Sequence, residues 1–372
     1  MATSTFTGDI AALTTDVIQG LTTAQINALT TDNVAGLSSD EVKALSSAQV
    51  AALSTAAVGK LSSDQVGALS TASVKGLGTD QINALTTANV VGLSSDEVKA
   101  LGSAQVAALS TTNVAGLSSS DLAVLSSVQV AALSTDAVGK LTTDQIPGFT
   151  SVQAAGLSSD DVKALSSDQI AALSTAAVTG LGTATVKGLT TANVAGLSSD
   201  EVKALSSAQV AALATAAIGK LSSDQIAALS TAAVKGLSTD QVKALSTDNA
   251  AGLSSSDLAV LSSAQVAALS TDAVGKLTTD QIPGFTSIQM AGLSIDEVKA
   301  LSSDQIAALS TAAVKGLSTR QIKALSTTNV TGLSSDGLTA LSSAQVAALS
   351  TEAVGKLTTD QIPAITSGQA DG

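Results

Sequence analysis

Cysteine, histidine, tryptophan and tyrosine are absent from the 372-residue chain, which carries only three phenylalanines (Phe6, Phe149, Phe285), two methionines (Met1, Met290) and three prolines (Pro147, Pro283, Pro363). Each absence excludes something. Without cysteine there is no disulfide and no thiolate nucleophile. Without histidine as well, neither a Ser-His-Asp triad nor the usual zinc sites can be assembled. Aromatic side chains supply much of the buried area of an ordinary globular core; their scarcity leaves a thin core of Leu, Val, Ile and Ala. Basic residues are few: the net charge is −13 and the pI about 4.2. Nucleic acid is therefore not expected as a partner, because phosphate binding rests on Lys and Arg, and an anionic membrane surface is not expected for the same reason. Ser and Thr interrupt every apolar run short of the roughly 18 residues a spanning helix needs, so membrane insertion is not expected. The first residues lack a basic stretch followed by an apolar one, so no signal peptide is expected in this chain. Both ends are compatible with a piece of a longer array, or with export that needs no N-terminal signal.

What is present is a repeat. A leucine returns every eight residues from Leu13 to Leu357, replaced only at Phe149, Phe285 and Ile365, with no insertion or deletion. Counting that residue as position 1, the consensus reads L-[ST]-[ST]-[DA]-[QE]-V-[KA]-[AG] over 45 octads. The domain organisation read from this is a lead-in at 1–12, one continuous array at 13–365 and a tail at 366–372. Larger duplications overlie the octad: 117–228 resembles 253–364, and 37–92 resembles 197–252. The shifts are 17 and 20 octads. Neither is a multiple of three, so single octads read as interchangeable and a rigid two- or three-octad unit is disfavoured.

Periodicity alone does not choose helix or strand, but the helix start does. In "LSSDEVKA" (37–44), Ser38 fits an N-cap with Glu41 at N3, a capping box, and Leu37 and Val42 fit the hydrophobic staple that spans N′ to N4. The next octad repeats this with Leu45, Ser46, Gln49 and Val50. Of 30 acidic residues all but Asp371 stand at positions 4 or 5, and all 16 lysines at positions 7 or 8. That polarity complements a helix dipole; Asp40 and Lys43 also form an i,i+3 pair. The expected fold is all-α: an elongated solenoid of very short helices of about two turns, one per octad, with Ala or Gly at position 8 letting successive helices pack closely. The alternative is a β-solenoid with stacked Ser/Thr ladders, against which stand the many Ala, Gln, Asp and Lys residues. The prolines, all at position 7 of "TTDQIP" octads, read as kinks or block boundaries, with Phe149 and Phe285 filling the space beside two of them, or as drift in a tolerant repeat.

No catalytic, cofactor-binding or metal-binding residue is assigned. The adjacent acids Asp40/Glu41, Asp160/Asp161 and Asp200/Glu201 are accounted for by capping, and neither an EF-hand loop nor a glycine-rich calcium repeat is present. An enzyme is therefore not expected.

Stretches like "LTTDQIAALS" resemble the first helix of the repeats in transcription-activator-like effectors. The second helix and base-reading loop are missing and the charge is of the wrong sign, so DNA binding does not carry over. The array as a whole resembles the octad tracts of very large bacterial surface or secreted, adhesin-like repeat proteins. That resemblance implies a spacer, stalk or self-assembling fibre, located outside the cell or on its surface. Its partners would be further copies or adjacent repeat domains. The alternative function is a binding module that presents Ser, Thr and Gln to glycans or ice.

Overall fold

The computed structural model describes residues 14–366 and Gln369. The lead-in at 1–12, Leu13 and the tail apart from Thr366 and Gln369 lie outside the described residues. Among the described residues the chain is all-helical, with a short helix in each octad and no strand, which removes the β-solenoid alternative. The chain divides into two compact units, one ending at Gly188 and one beginning at Leu189. The same construction is found within each.

A hydroxyl at position 2 starts most of the helices; Gly78, Gly102 and Ala214 are exceptions. Ser38 lies in extended conformation, its Oγ accepts from the Glu41 amide, and the Glu41 carboxylate accepts from the Ser38 amide at 2.6 Å. Leu37 and Val42 are both buried, as the staple requires. The helix Ser39–Ala44 ends at Leu45, which returns to extended backbone (φ −66°, ψ 131°) while its N–H closes a bond to Val42 O. One residue later the next hydroxyl caps the next helix. This leaves no room for the expected two turns. The α segments run four to six residues, and seven octads hold 3₁₀ turns instead, such as Val114–Gly116. Helices this short are unstable alone, so packing must hold them.

The packing partner is not the next helix but the one three octads on. In the first unit Ser47–Ala52 lies against Thr71–Gly76, and Ser151–Ala154 against Thr175–Gly180; in the second, Ser207–Ala212 lies against Thr231–Lys235. Each unit is thus an all-α solenoid with three octads per coil. The expectation against a three-octad unit is corrected in a specific way. The coil holds three octads, yet each octad offers the same leucine and position-6 pattern to the coils beside it, so shifts of 17 or 20 octads keep that packing pattern in place. Position 8 eases packing between coils rather than between successive helices.

Leucines at position 1 and Val or Ile at position 6 fill the interior; Leu205 is 4 % exposed and Val210 fully buried. The prolines neither kink a longer helix nor mark the division between units. Each sits in a 3₁₀ turn (Ile146–Gly148, Ile282–Gly284, Ile362–Ala364), a form that the proline-free octads at 109 and 325 also adopt. Phe149 and Phe285, which follow two of these turns, are buried. The expected Asp40–Lys43 pair is not formed. Among the described residues one ion pair closes, Lys299 to Asp296 at 3.9 Å, both largely exposed, a geometry that contributes little. No helix among the described residues is long and apolar enough to cross a membrane.

Candidate functional site

The feature that organises the molecule is position 5. Its side chain follows the cap by three residues, so its first polar atom must turn back to the N-cap amide. The second polar atom then faces inward and down, toward the preceding coil. In Gln65, Oε1 accepts from the Ser62 amide at 2.7 Å, while Nε2 donates to Val34 O at 2.9 Å and Leu37 O at 2.6 Å. These acceptors lie 31 and 28 residues earlier in the chain. They are the position-6 carbonyl of one octad, which also accepts from the following leucine amide (Leu37 N to Val34 O, 3.2 Å), and the leucine carbonyl that begins the next octad. The pattern recurs in Gln49, Gln81, Gln105 and Gln145 of the first unit and in Gln289 and Gln321 of the second. A single amide side chain caps its own helix and clasps two carbonyls of the coil below.

Other residues at position 5 do part of this. Ser73 and Thr185 reach only the leucine carbonyl, Leu45 O at 3.2 Å and Leu157 O at 3.0 Å. The shorter Asn89 still makes the whole clasp, at longer distances, donating to Leu61 O at 3.1 Å and Val58 O at 3.4 Å. Asp121 and Asp161 have no donor and instead accept from hydroxyls of the coil below, Ser95 and Thr135, each at 2.8 Å. Asp257 keeps its cap, but its buried Oδ1 has no partner. Glu97 is buried, and one carboxylate oxygen takes the Ser94 amide and hydroxyl. Having no N–H, it cannot clasp Val66 O and Leu69 O, the carbonyls at the same spacings. Glu97→Gln is therefore expected to stabilise the first unit by about 1–2 kcal/mol, read as a higher urea midpoint; an unchanged midpoint would contradict the clasp.

The adjacent acids are separated by this geometry. Asp40, Asp160 and Asp200 are exposed, whereas Glu41, Asp161 and Glu201 are buried in their caps, so no pair converges on a substrate position. Among the described residues no group of three or more Asp or Glu is placed to hold a metal. One shallow surface depression, of about 510 Å³, lies over Thr135, Asp160, Lys163 and Ala164. It brings together one carboxylate, one ammonium and one hydroxyl. In the sequence, position 5 has the signature of a helix cap alone; its burial and its reach to the preceding coil come from the fold. One signal was present: no Lys or Arg ever occupies position 5, whereas position 4 admits Arg320, Val128 and Ile288.

A family model described as the ALTTAQ repeat matches the chain in twelve segments: 7–39, 37–71, 66–95, 74–111, 90–119, 114–151, 148–175, 199–231, 218–255, 250–287, 298–335 and 332–367. Each segment spans about four octads, which is the reach of one clasp. No curated protein matches the chain.

Proposed function

The chain belongs to the ALTTAQ repeat family, and from that premise we propose that it is a non-enzymatic structural array, a spacer or stalk of a bacterial surface or secreted protein. The observation that carries this reading is the position-5 clasp. It spends buried polar groups on joining one coil to the next, and it recurs at the 28-residue spacing in many octads of both units. An array of equivalent junctions gives length in small increments, with stability set by nearest neighbours, which is what a spacer requires. The alternative, a hydroxyl-rich face for glycans or ice, is less favoured. Position-2 hydroxyls are taken up by caps, and some position-3 hydroxyls, such as Thr87 and Ser335, donate to carbonyls of the next coil.

Small-angle X-ray scattering tests the proposal. A compact domain of 372 residues has a radius of gyration of about 21 Å; a spacer is expected to lie well above that value. A value near it would refute the reading.

A further inference from the structure

Position 4 of the octad faces outward and holds Asp or Ala in most copies. Three octads put a large apolar side chain into water there: Val128 is 67 % exposed, Val152 57 % and Ile288 72 %. Two of these are neighbours. The octads of Val128 and Val152 lie one coil apart, and Ser127–Val130 packs against Ser151–Ala154. The stack continues in both directions: Ser103–Ala107 packs against Ser127–Val130, and Thr175–Gly180 against Ser151–Ala154. Four successive coils of the first unit therefore set position 4 in one row, Ala104, Val128, Val152 and Ala176, all exposed. None of these four octads carries a charged residue, and their position 7 is Ala or Thr. The other sides of the same coils are acidic, with Asp136, Asp144 and Asp160 exposed.

We propose that this row pairs two copies of the chain side by side in opposite directions, about a two-fold axis between Val128 and Val152. The pairing goes beyond the spacer reading and gives the array a lateral partner. Two observations name a second copy as the occupant. The first is the order of the row. Small, large, large, small reads the same from either end, so a two-fold rotation lays Val128 on the partner's Val152 and Ala104 on the partner's Ala176, as an isologous contact requires. The second is charge. The chain carries a net charge of −13, so two copies repel wherever their acidic sides meet, and this row lets them approach without that opposition. A basic partner would be drawn to the acidic sides instead. Coils packed about 10 Å apart make the row roughly 30 Å long, and it is one helix, about 10 Å, wide. That area is well under the roughly 800 Å² per partner of a standard interface. The dimer is therefore weak and reversible, and the two-fold contact closes at two copies.

Analytical sedimentation of the full chain at concentrations up to about 1 mM tests this. A monomer–dimer equilibrium without larger species is expected, and added salt is expected to strengthen it by screening the like charge of the copies. V128E/V152E is expected to weaken the dimer at least about tenfold. The fold accepts that change, since position 4 is exposed and already holds Glu352 in another octad. V128E/V152K sets opposite charges in register across the two-fold axis and is expected to recover the dimer. Ile288→Glu, in the second unit, where the position-4 neighbours are Ala264 and Ala312, is expected to leave the equilibrium unchanged. A chain that stays monomeric at every concentration overturns the proposal, as does a dimer that salt weakens or that V128E/V152E leaves intact. A dimer lost in V128E/V152E and not recovered in V128E/V152K overturns the two-fold register. The spacer reading is judged separately, by the radius of gyration of the monomeric V128E/V152E chain.

Discussion

Replacing Gly92 by alanine is expected to destabilise the first unit by about 3 kcal/mol, a large effect for one methyl group on a helix. In most exposed helices that substitution is neutral or favourable, because alanine has the higher helix propensity. Here the octad's helix stops at Val90, and Gly92 turns onto the coil below. A Cβ on Gly92 would lie 2.0 Å from Ser63 O and 3.0 Å from the Gly67 amide nitrogen. Both are backbone atoms that cannot swing aside, so the two coils must separate by more than an ångström. That separation would stretch the clasps on either side. Gly36→Ala is the control: its nearest atoms would be 3.4 Å away, carbonyls of its own helix, and a change within about 1 kcal/mol of neutral is expected. Denaturant midpoints of the two variants test the contrast; equal midpoints would remove close coil approach as the reason for glycine at position 92.

Leu205→Asp is expected to cost still more, about 4 kcal/mol or above, and to do so locally. The leucine is 4 % exposed, and burying it contributes about 1.5–3 kcal/mol. The aspartate would add a carboxylate in a seam lined by Val202 and Val210, with no cation among these neighbours to pair with it. Because each octad packs against those one coil away, the damage should stay in the octads around Leu205 and the coil that follows it, up to about Leu229, instead of spreading through the second unit. Amide hydrogen exchange reads this directly. Fast exchange confined to the surrounding coils is expected, with the helices from Thr311 onward still protected. Loss of protection across the whole unit would show that stability is not nearest-neighbour.

Much of the local structure was legible in the octad. Ser38, Glu41, Leu37 and Val42 follow rules that operate within six residues, and each behaves as those rules require. The coil was not legible, because nothing within eight residues encodes how many octads complete a turn. Gln49 shows why. Its bond to Ser46 is short-range and has a recognised pattern, while its bonds to Ile18 and Leu21 join residues about 30 apart. Grouping the acids of positions 4 and 5 as one capping population also hid a difference. Asp40 faces water and Glu41 does not, although they are neighbours in the chain. The helices are shorter than two turns because the leucine that opens one helix also closes the one before it. Leu45 does both.

The reach of the clasps bears on how such a chain is made. The position-5 bonds described here span 28 to 31 residues, about a twelfth of the 372-residue sequence, so relative contact order is low and folding needs no distant encounter. Every clasp also points toward residues already synthesised. As a nascent chain leaves the ribosome, Gln65 finds the Val34 and Leu37 carbonyls waiting, and Gln81 those of Val50 and Leu53. Each new octad can be fastened as it emerges, and the polypeptide can fold in the order in which it is translated.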